Sequence, residues 1–362
     1  MKKLFSILTA LLLIGFAANT TAQSIKWSGD LQVRPRYDML DWGEYGKNGS
    51  LGKINDMYYM MRARLNVSVD IDENWVGKIQ LAHYNYAGYY FTNAAGLDGT
   101  APVIGSNDLL SRPAVNFTQM WFGYHGKTFG LDGGIIPLNA LKNPMLDVQF
   151  YPNSPIDIPF TIRNLGSATG FKGYINPGVG KIHFMAVLNE NNRYMEYIDG
   201  TPTSDLNDVY TYGFDYEFKV GGFMLQPAFY MTVANDSAVA PMTYGLNLAT
   251  PKLGGFTFGG TFAMFSNSAE GTTEFDGMYF RVKVTGKLGP GKVIAWYDYA
   301  KRTDKYSSGD VDETYGYIWL AYAYGINKHV TVMPRARIIS DKVDGSKDFS
   351  RNKLELLFIA KF

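Results

Sequence analysis

The chain has 362 residues and almost no net charge, with 34 Lys and Arg against 33 Asp and Glu. This balance argues against a nucleic-acid partner, and the absence of cysteine excludes disulfides and a cysteine-linked lipid anchor. Charged residues make up 19% of the chain, below the roughly 25% of an average soluble domain, while aromatic residues reach 15%. Amphipathic rings are typical of surfaces that meet lipid and headgroups, although a large soluble all-β protein could share this composition.

The first 22 residues predict a cleaved signal peptide. Lys2 and Lys3 form a positive segment, residues 4–18 form an apolar segment, and residues 20–22 place small side chains before the expected cleavage at Gln23. Removing the two lysines leaves 32 basic residues against 33 acidic ones, a formal charge of −1. No later stretch approaches the roughly 20 apolar residues that a membrane-spanning helix needs. Residues 23–362 show no linker or change of composition and therefore predict one domain.

Polar and apolar residues alternate along many of the segments that follow. Residues 25–38 place Trp27 and Leu31 on one face and Asp30 and Arg34 on the other. Similar alternation continues in later segments. Each such pattern is longer than the roughly 5–6 residues of an average globular strand and matches the roughly 9–11 residues of a tilted membrane strand.

Turn signals form two populations that alternate along the chain. Seven turns are short and rich in Gly, Pro, Asn and Asp, as tight hairpins require, and eight connections are longer and polar. An even number of strands, with short turns at one end and long loops at the other, is typical of a closed antiparallel transmembrane β-barrel. The turns separate sixteen predicted strands, at 25–38, 57–71, 74–88, 115–125, 128–136, 167–175, 179–189, 209–220, 222–234, 241–250, 255–265, 274–286, 291–302, 312–325, 328–340 and 349–362.

Several strands depart from the simple pattern. Pro35, Pro227 and Pro334 each remove one hydrogen-bond donor from a predicted strand, which predicts local bulges or terminal positions. The fourth, sixth and fourteenth predicted strands alternate poorly, so the sequence does not assign their faces.

Eight basic residues are predicted to line one wall of the lumen, because the first and last strands are neighbours in a closed barrel. A row of fixed cations along a water-filled pore offers anions successive weak sites. The same side chains could instead pair with acids such as Asp30, Asp70 or Glu355 and brace the wall, and the sequence leaves both roles open. The eight residues are Arg34, Arg36, Arg62, Arg64, Lys78, Arg335, Arg337 and Lys353.

The chain carries no motif for catalysis or for a cofactor. His83, His125, His183 and His329 stand in separate strands or turns without metal-ligand spacing, so no metal site is predicted. Fingerprints for nucleophilic serine, phosphate-loop or dinucleotide sites do not occur. We therefore expect neither an enzyme nor a cofactor.

The mature chain resembles the sixteen-stranded outer-membrane porins, and among them the putative porins related to the phosphate-selective porins. Residues 27–37 contain a Gly-Asp pair followed by alternating arginines, and residues 61–65 lead into an Asp-Glu-Asn-Trp turn at 72–75. Residues 133–138 form a glycine-led strand that enters the third long loop. Phe362, at the end of an alternating strand, is similar to the terminal aromatic residue that belongs to the assembly signal of outer-membrane barrels.

The resemblance implies that residues 137–166 fold into the lumen and constrict it. Phosphate-selective relatives use basic residues there, whereas this loop combines Lys142 and Arg163 with Asp147 and Asp157. That departure argues against phosphate selectivity. The resemblance also implies a homotrimer in the outer membrane of a Gram-negative bacterium, surrounded by lipid and inserted by the barrel-assembly machinery.

Together these features predict a porin for passive diffusion of small hydrophilic solutes or ions, with a preference for anions. Small residues on the predicted lumen side favour an open channel. The alternative is a non-conducting barrel with an adhesive, structural or enzymatic role. The small residues are Gly213, Thr257, Gly259, Thr261 and Ala263.

Overall fold

Sixteen antiparallel strands close into a barrel in the computed structural model of the chain. The structure describes residues 24–41, 53–87, 115–138, 143–146, 167–191, 197–198, 201–202, 208–234, 240–268, 274–344 and 349–362. Within these ranges, no helix is long and apolar enough to cross a membrane.

The strands follow one another around the barrel in chain order. Two additional short strands, β8 and β9, are not part of the barrel and pair with each other in a separate two-stranded ribbon. The barrel closes where β1 pairs with β18. The strands are β1 (Ile25–Asp41), β2 (Lys53–Asp70), β3 (Trp75–Ala87), β4 (Asn116–His125), β5 (Phe129–Ile136), β6 (Ala168–Ile175), β7 (Lys181–Asn191), β8 (Tyr197–Ile198), β9 (Thr201–Pro202), β10 (Asp208–Val220), β11 (Phe223–Ala234), β12 (Met242–Ala249), β13 (Phe256–Asn267), β14 (Glu274–Leu288), β15 (Gly291–Lys305), β16 (Val311–Gly325), β17 (Val330–Val343) and β18 (Phe349–Lys361).

The sixteen predicted strands are confirmed, each with its ends within four residues of the prediction. The short ribbon of β8 and β9 was not predicted. Short turns join the strands at one end of the barrel, as expected. Between β10 and β11, Gly221 and Gly222 both have positive φ, at 56° and 85°. A type I′ hairpin requires positive φ at both central residues, which glycine adopts without steric cost.

The two faces of the barrel wall differ in chemistry because successive side chains of a strand point in opposite directions. On β1, Trp27 and Leu31 are exposed on the outside, whereas Asp30 and Arg36 are buried on the inside. An apolar outer face suits hydrocarbon, and the closed hydrogen-bond ladder leaves no strand edge unpaired there. Most charged side chains of the membrane-spanning strands are thus collected inside the barrel.

Strands β4, β6 and β16 carry large or basic side chains on their inner faces, which explains their poor alternation. Trp121 of β4 and Trp319 of β16 point inward, and the ammonium group of Lys172 on β6 lies 5.9 Å from the Trp121 ring centre. A register shift between Gln80 and Leu81 of β3 further breaks the pattern beside β4. Inward aromatic rings make both faces of a strand look apolar in the sequence.

The prediction of bulges or terminal positions at the three prolines is wrong, because all three lie inside their strands. At each of Pro35, Pro227 and Pro334, two successive residues are not paired with the neighbouring strand on one side. The pairing resumes beyond this gap in the same register. Each proline remains paired with the strand on its other side. The ladder therefore tolerates the missing donor by opening locally, without an inserted residue.

The chain terminus completes the barrel seam. Gly29 of β1 and Phe362 exchange backbone hydrogen bonds of 3.0 and 3.2 Å. A side chain at Gly29 would collide with the Phe362 ring, so the glycine makes room for the terminal aromatic residue. The last residue thus contributes directly to closure between the first and last strands.

Adjacent substitutions on β2 test the assignment of the two faces. We expect Leu65→Arg to lower the free energy of unfolding by about 2–4 kcal/mol if it lies near the bilayer midplane, because the outer face meets hydrocarbon. Asn66→Arg should cost much less, since Asn66 lies on the inner face, where Gln80 donates a 2.6 Å hydrogen bond to it. Denaturant unfolding of the refolded variants in lipid measures both costs, and equal costs would contradict the assignment.

Candidate functional site inside the barrel

One carboxylate, that of Glu355 on β18, is shared by four arginines at the barrel seam. Arg36 Nη2 lies 2.6 Å from Glu355 Oε1, and Arg34 Nη1 lies 3.5 Å from the same oxygen. Arg335 Nε donates to Oε2, and Arg337 Nε lies 3.1 Å from Oε2. The arrangement follows from the register, which places Arg36 and Arg335 directly opposite Glu355 on its two neighbouring strands. The Glu355 side chain has no exposed surface.

Two aspartates extend the ion pairs along β1. Asp30 accepts hydrogen bonds from Arg62 Nη2 at 2.7 Å and from Arg64 Nε at 2.6 Å. Asp38 accepts hydrogen bonds from both Nε and Nη2 of Arg351, at 2.8 and 2.5 Å. Bidentate arginine pairs fix both side chains in orientation and are among the stronger ionic contacts in proteins. These contacts show that the arginines brace the wall.

Basic groups nevertheless outnumber acids on this wall. In the cluster of charged side chains at the seam, eight basic groups lie with four carboxylates, a formal surplus of four positive charges. Pairing and a surplus of positive charge thus coexist on this wall, so bracing does not exclude the second role that the sequence left open. This seam cluster consists of Arg34, Arg36, Arg62, Arg64, Arg335, Arg337, Arg351, Lys353, Asp30, Asp38, Asp341 and Glu355.

Lys78 and Lys283 also face inward, outside the seam cluster. Lys78 lies on β3 near Arg64, and Lys283 lies on β14 next to Trp296. Neither has a carboxylate within 4.0 Å among the described residues. They add positive charge without a structural brace.

All eight basic residues predicted for the lumen wall therefore project from the inner faces of β17, β18, β1, β2 and β3. That they line a conducting pore stays a prediction. Sequence reasoning missed the inward-facing Arg351, although it follows the same alternation as Lys353 and Glu355 on β18. It also missed Arg281 and Lys283, which lie opposite the inward-facing Asp298 and Trp296 of β15.

The opposite wall, formed by β10 to β13, carries a network with few charges. Asp215 of β10 contacts His183 Nδ1 at 2.7 Å and accepts a 2.8 Å hydrogen bond from Gln226. Asn247 of β12 donates to Gln226 at 3.1 Å and accepts from Thr261 at 2.6 Å. All of these side chains except His183 are buried. Amides and hydroxyls, rather than arginines, hold this side together.

A segment of the third long loop packs against this wall. Asn143 Nδ2 donates to the Tyr230 hydroxyl at 2.9 Å, and Asn247 Nδ2 donates to Asn143 Oδ1 at 2.7 Å. Met145 is fully buried beside Gly245, where an added side-chain carbon would come within 2.9 Å of its sulfur. Residues 143–146 therefore lie inside the barrel. We call Asn143, Met145, Tyr230 and Asn247 the inner latch.

Other predicted loop and histidine sites are placed as follows. Lys142, Asp147, Asp157 and Arg163 lie outside the described residues, as does the side chain of His83. His125 pairs with Asp132 at 2.6 Å, and His329 lies in the exposed turn between β16 and β17. Across the described ranges, no three His, Asp or Glu side chains are grouped to hold a metal ion.

Comparisons with known proteins agree with this architecture. No family model matches the chain, and no curated protein matches it. The solved structure of an anion-selective porin from Comamonas acidovorans is 11% identical, covers 94% of this chain and 100% of its own, and has a TM-score of 0.59. The trimer form of OmpT, an outer membrane protein of Vibrio cholerae, has 10% identity, a TM-score of 0.57, and covers 94% of this chain and 100% of its own. OmpF of Salmonella typhi has 10% identity, a TM-score of 0.58, and covers 93% of this chain and 97% of its own. The fold is thus the sixteen-stranded barrel of the outer-membrane porins.

Replacing Glu355 tests the seam cluster. We expect Glu355→Gln to lower the free energy of unfolding by about 3–5 kcal/mol, because four arginines lose their shared buried counter-charge. The matched control is Glu217→Gln on the inner face of β10, where no ion pair to Glu217 is found among the described residues. Denaturant unfolding in lipid compares the two, and an equally small effect would show that Glu355 does not hold the seam.

Proposed function

We propose that the chain is an outer-membrane porin of a Gram-negative bacterium that allows passive diffusion of small hydrophilic solutes or ions and favours anions. The observation that carries the proposal is the surplus of four positive charges in the seam cluster, on the inner wall of a closed barrel with an apolar outer face. The porin fold supports a channel role. No covalent step or cofactor is needed for such a function.

The fixed positions of the arginines support anion preference. Side chains held by Glu355 and Asp30 cannot fold away from the lumen, so their charges act from a preorganised surface. Lys78 and Lys283 add charge on both sides of the seam cluster. A low-dielectric wall focuses the resulting field, and several weak sites in succession allow an anion both to enter and to leave.

We further propose that residues 137–166 form the constriction of the pore. The inner latch supports this proposal, because it holds residues 143–146 against the wall across from the seam cluster. Lys142, Asp147, Asp157 and Arg163 would then set the charge at the narrowest point. Acids of the loop facing the arginines across the lumen would create a transverse field.

Assembly and processing are part of the same proposal. Residues 1–22 act as the signal peptide and residues 23–362 form the barrel domain. Phe362 serves as an assembly signal for the barrel-assembly machinery, which is consistent with its position at the seam. A homotrimer is proposed from the porin fold, which the trimer form of OmpT shares.

One observation favours a second candidate, a non-conducting barrel with an adhesive, structural or enzymatic role. Thr211 and Thr243 on the inner face have no exposed surface, and Tyr230 has 1%. On this side of the lumen, packed side chains therefore cover the wall. Planar-bilayer conductance of the refolded mature chain separates the candidates, since a filled barrel would carry no current.

Replacing Lys78 and Lys283, the two lysines that do not brace the wall, tests the proposed preference for anions. We expect wild-type protein to show an anion-favouring reversal potential under a KCl gradient, and Lys78→Gln with Lys283→Gln to lower the chloride-to-potassium permeability ratio about twofold. The effect should fade near 1 M salt, where the Debye length is about 3 Å. Lys127→Gln, in the exposed turn between β4 and β5, is the control. A cation preference in wild type would overturn the proposed selectivity.

The constriction is tested by weakening the inner latch. Asn143→Ala with Met145→Ala removes the hydrogen bonds to Tyr230 and Asn247 and the buried methionine contact. We expect a higher or more variable single-channel conductance, because the loop is no longer held in one position. Met264→Ala, on the outer face of β13, is the matched control and should conduct as wild type does. Unchanged conductance in the latch variant would argue that the loop does not set the pore width.

A further inference from the structure

Two tryptophans lie side by side on the inner face of the barrel. Trp296 of β15 is directly opposite Trp319 of β16 in the strand register, and their rings are in contact. Both are partly buried against an apolar group that includes Tyr317 and Ile339. Their position in the lumen, away from the lipid face, separates them from the aromatic residues that anchor a barrel in the membrane interface.

Four basic side chains surround the two rings. A cation within about 6 Å of an aromatic ring centre is attracted by the electron density of the ring face. The charged atoms lie 5.4–5.6 Å from a ring centre, with Arg335 and Arg337 at Trp319 and Arg281 and Lys283 at Trp296. The pair of rings is therefore embedded in positive charge.

Several hydrogen-bond donors at this place have no acceptor. The indole N–H groups of Trp296 and Trp319, the Tyr317 hydroxyl and Arg335 Nη2 are buried without a partner among the described residues. The Arg335 side chain is only 6% exposed. A buried donor without an acceptor is costly, and several together indicate a place where an acceptor-bearing ligand would be stabilised.

The nearby carboxylates are already occupied. Asp298 accepts two hydrogen bonds from Arg281 and one from the Tyr279 hydroxyl, at 2.5 to 3.0 Å. Glu355 is shared among the four arginines of the seam cluster. The acids of the wall therefore do not supply the missing acceptors.

We propose that this tryptophan–arginine site, formed by Trp296, Trp319, Tyr317, Arg335 and Arg337, binds aromatic monocarboxylates as they pass through the lumen. The carboxylate oxygens accept hydrogen bonds from the guanidinium and indole groups, and the flat ring of the ligand contacts the tryptophans. This inference rests on the proposed anion-favouring pore and names a solute class for it.

The same chemistry disfavours two other solute classes. Inorganic phosphate would use the cations but gain nothing from the two rings. A neutral oligosaccharide could stack on the rings but would not pair with the excess positive charge of the surrounding basic side chains. An aromatic carboxylate uses both features at once, and weak binding at such a site is compatible with passage.

Benzoate serves as the probe in planar bilayers that contain the refolded mature chain. We expect benzoate to reduce the chloride current at concentrations about tenfold lower than acetate, phosphate or benzyl alcohol, because only benzoate combines a ring with a carboxylate. Trp296→Leu with Trp319→Leu should remove this difference between benzoate and acetate. Trp319→Phe should keep most of it, and Trp75→Leu, on the outer face, should keep all of it.

A second measurement separates this site from the pore itself. Benzoate should cause a saturable change in tryptophan fluorescence of the refolded barrel in detergent, in wild type and in Trp75→Leu. Saturable binding without any chloride current would support the site and overturn the porin proposal. Chloride current in wild type with equal effects of benzoate and acetate would overturn the site and leave the porin. Heat-modifiable gel migration shows that each variant is folded. If the double variant does not fold, Trp319→Leu alone carries the test and should reduce the difference between benzoate and acetate more than Trp319→Phe does.

Discussion

The structure depends on one constraint, that every backbone N–H and C=O within a bilayer needs a partner inside the protein. A closed sheet meets this constraint only if its first and last strands pair. Here that pairing joins β1 to β18, and Gly29 and Phe362 complete it with two backbone hydrogen bonds. Closure in turn dictates the chemistry of the interior, since apolar side chains take the outer face and the charged ones have only the lumen left.

The seam illustrates how closure and electrostatics are connected. Glu355 holds arginines from β1 on one side and from β17 on the other, so a single buried carboxylate ties together the strands at the junction. The arrangement leaves more arginines than acids, and the excess cannot be relieved by moving a side chain away. The wall is stabilised and made positive by the same contacts. The ion pairs that brace the wall and its surplus of positive charge are therefore two aspects of one structure.

The two sides of the lumen differ in kind. The seam side is held together by ion pairs. Strands β10 to β13 are held together by amides and hydroxyls, two of which also form hydrogen bonds with Asn143 of the loop segment. A neutral, tightly packed wall suits the attachment of a loop, because no charge has to be buried without a partner. The tryptophans on β15 and β16 lie between these two regions, where positive charge and aromatic surface meet.

The sequence by itself determined the strands, the short turns and the inward side of most strands. These depend on a local period of two, and a nonpolar membrane outside the barrel imposes that period on each strand independently. Alternation also identified Arg34, Arg36, Arg335 and Arg337 as inward-facing. It could not show which acid they share, because Arg36 and Glu355 are 319 residues apart and meet only through closure of the barrel.

Only the tertiary structure decided the features that depend on more than one strand. Trp319 and Trp121 lie on inner faces that looked apolar in the sequence, so no local period could assign them. The prolines kept their register because the neighbouring strand on the other side stayed paired, which a single strand cannot reveal. The position of Met145 beside Gly245 depends on contacts between a loop and a distant wall. Such contacts have no periodic signature, because their geometry is set by the closed barrel as a whole.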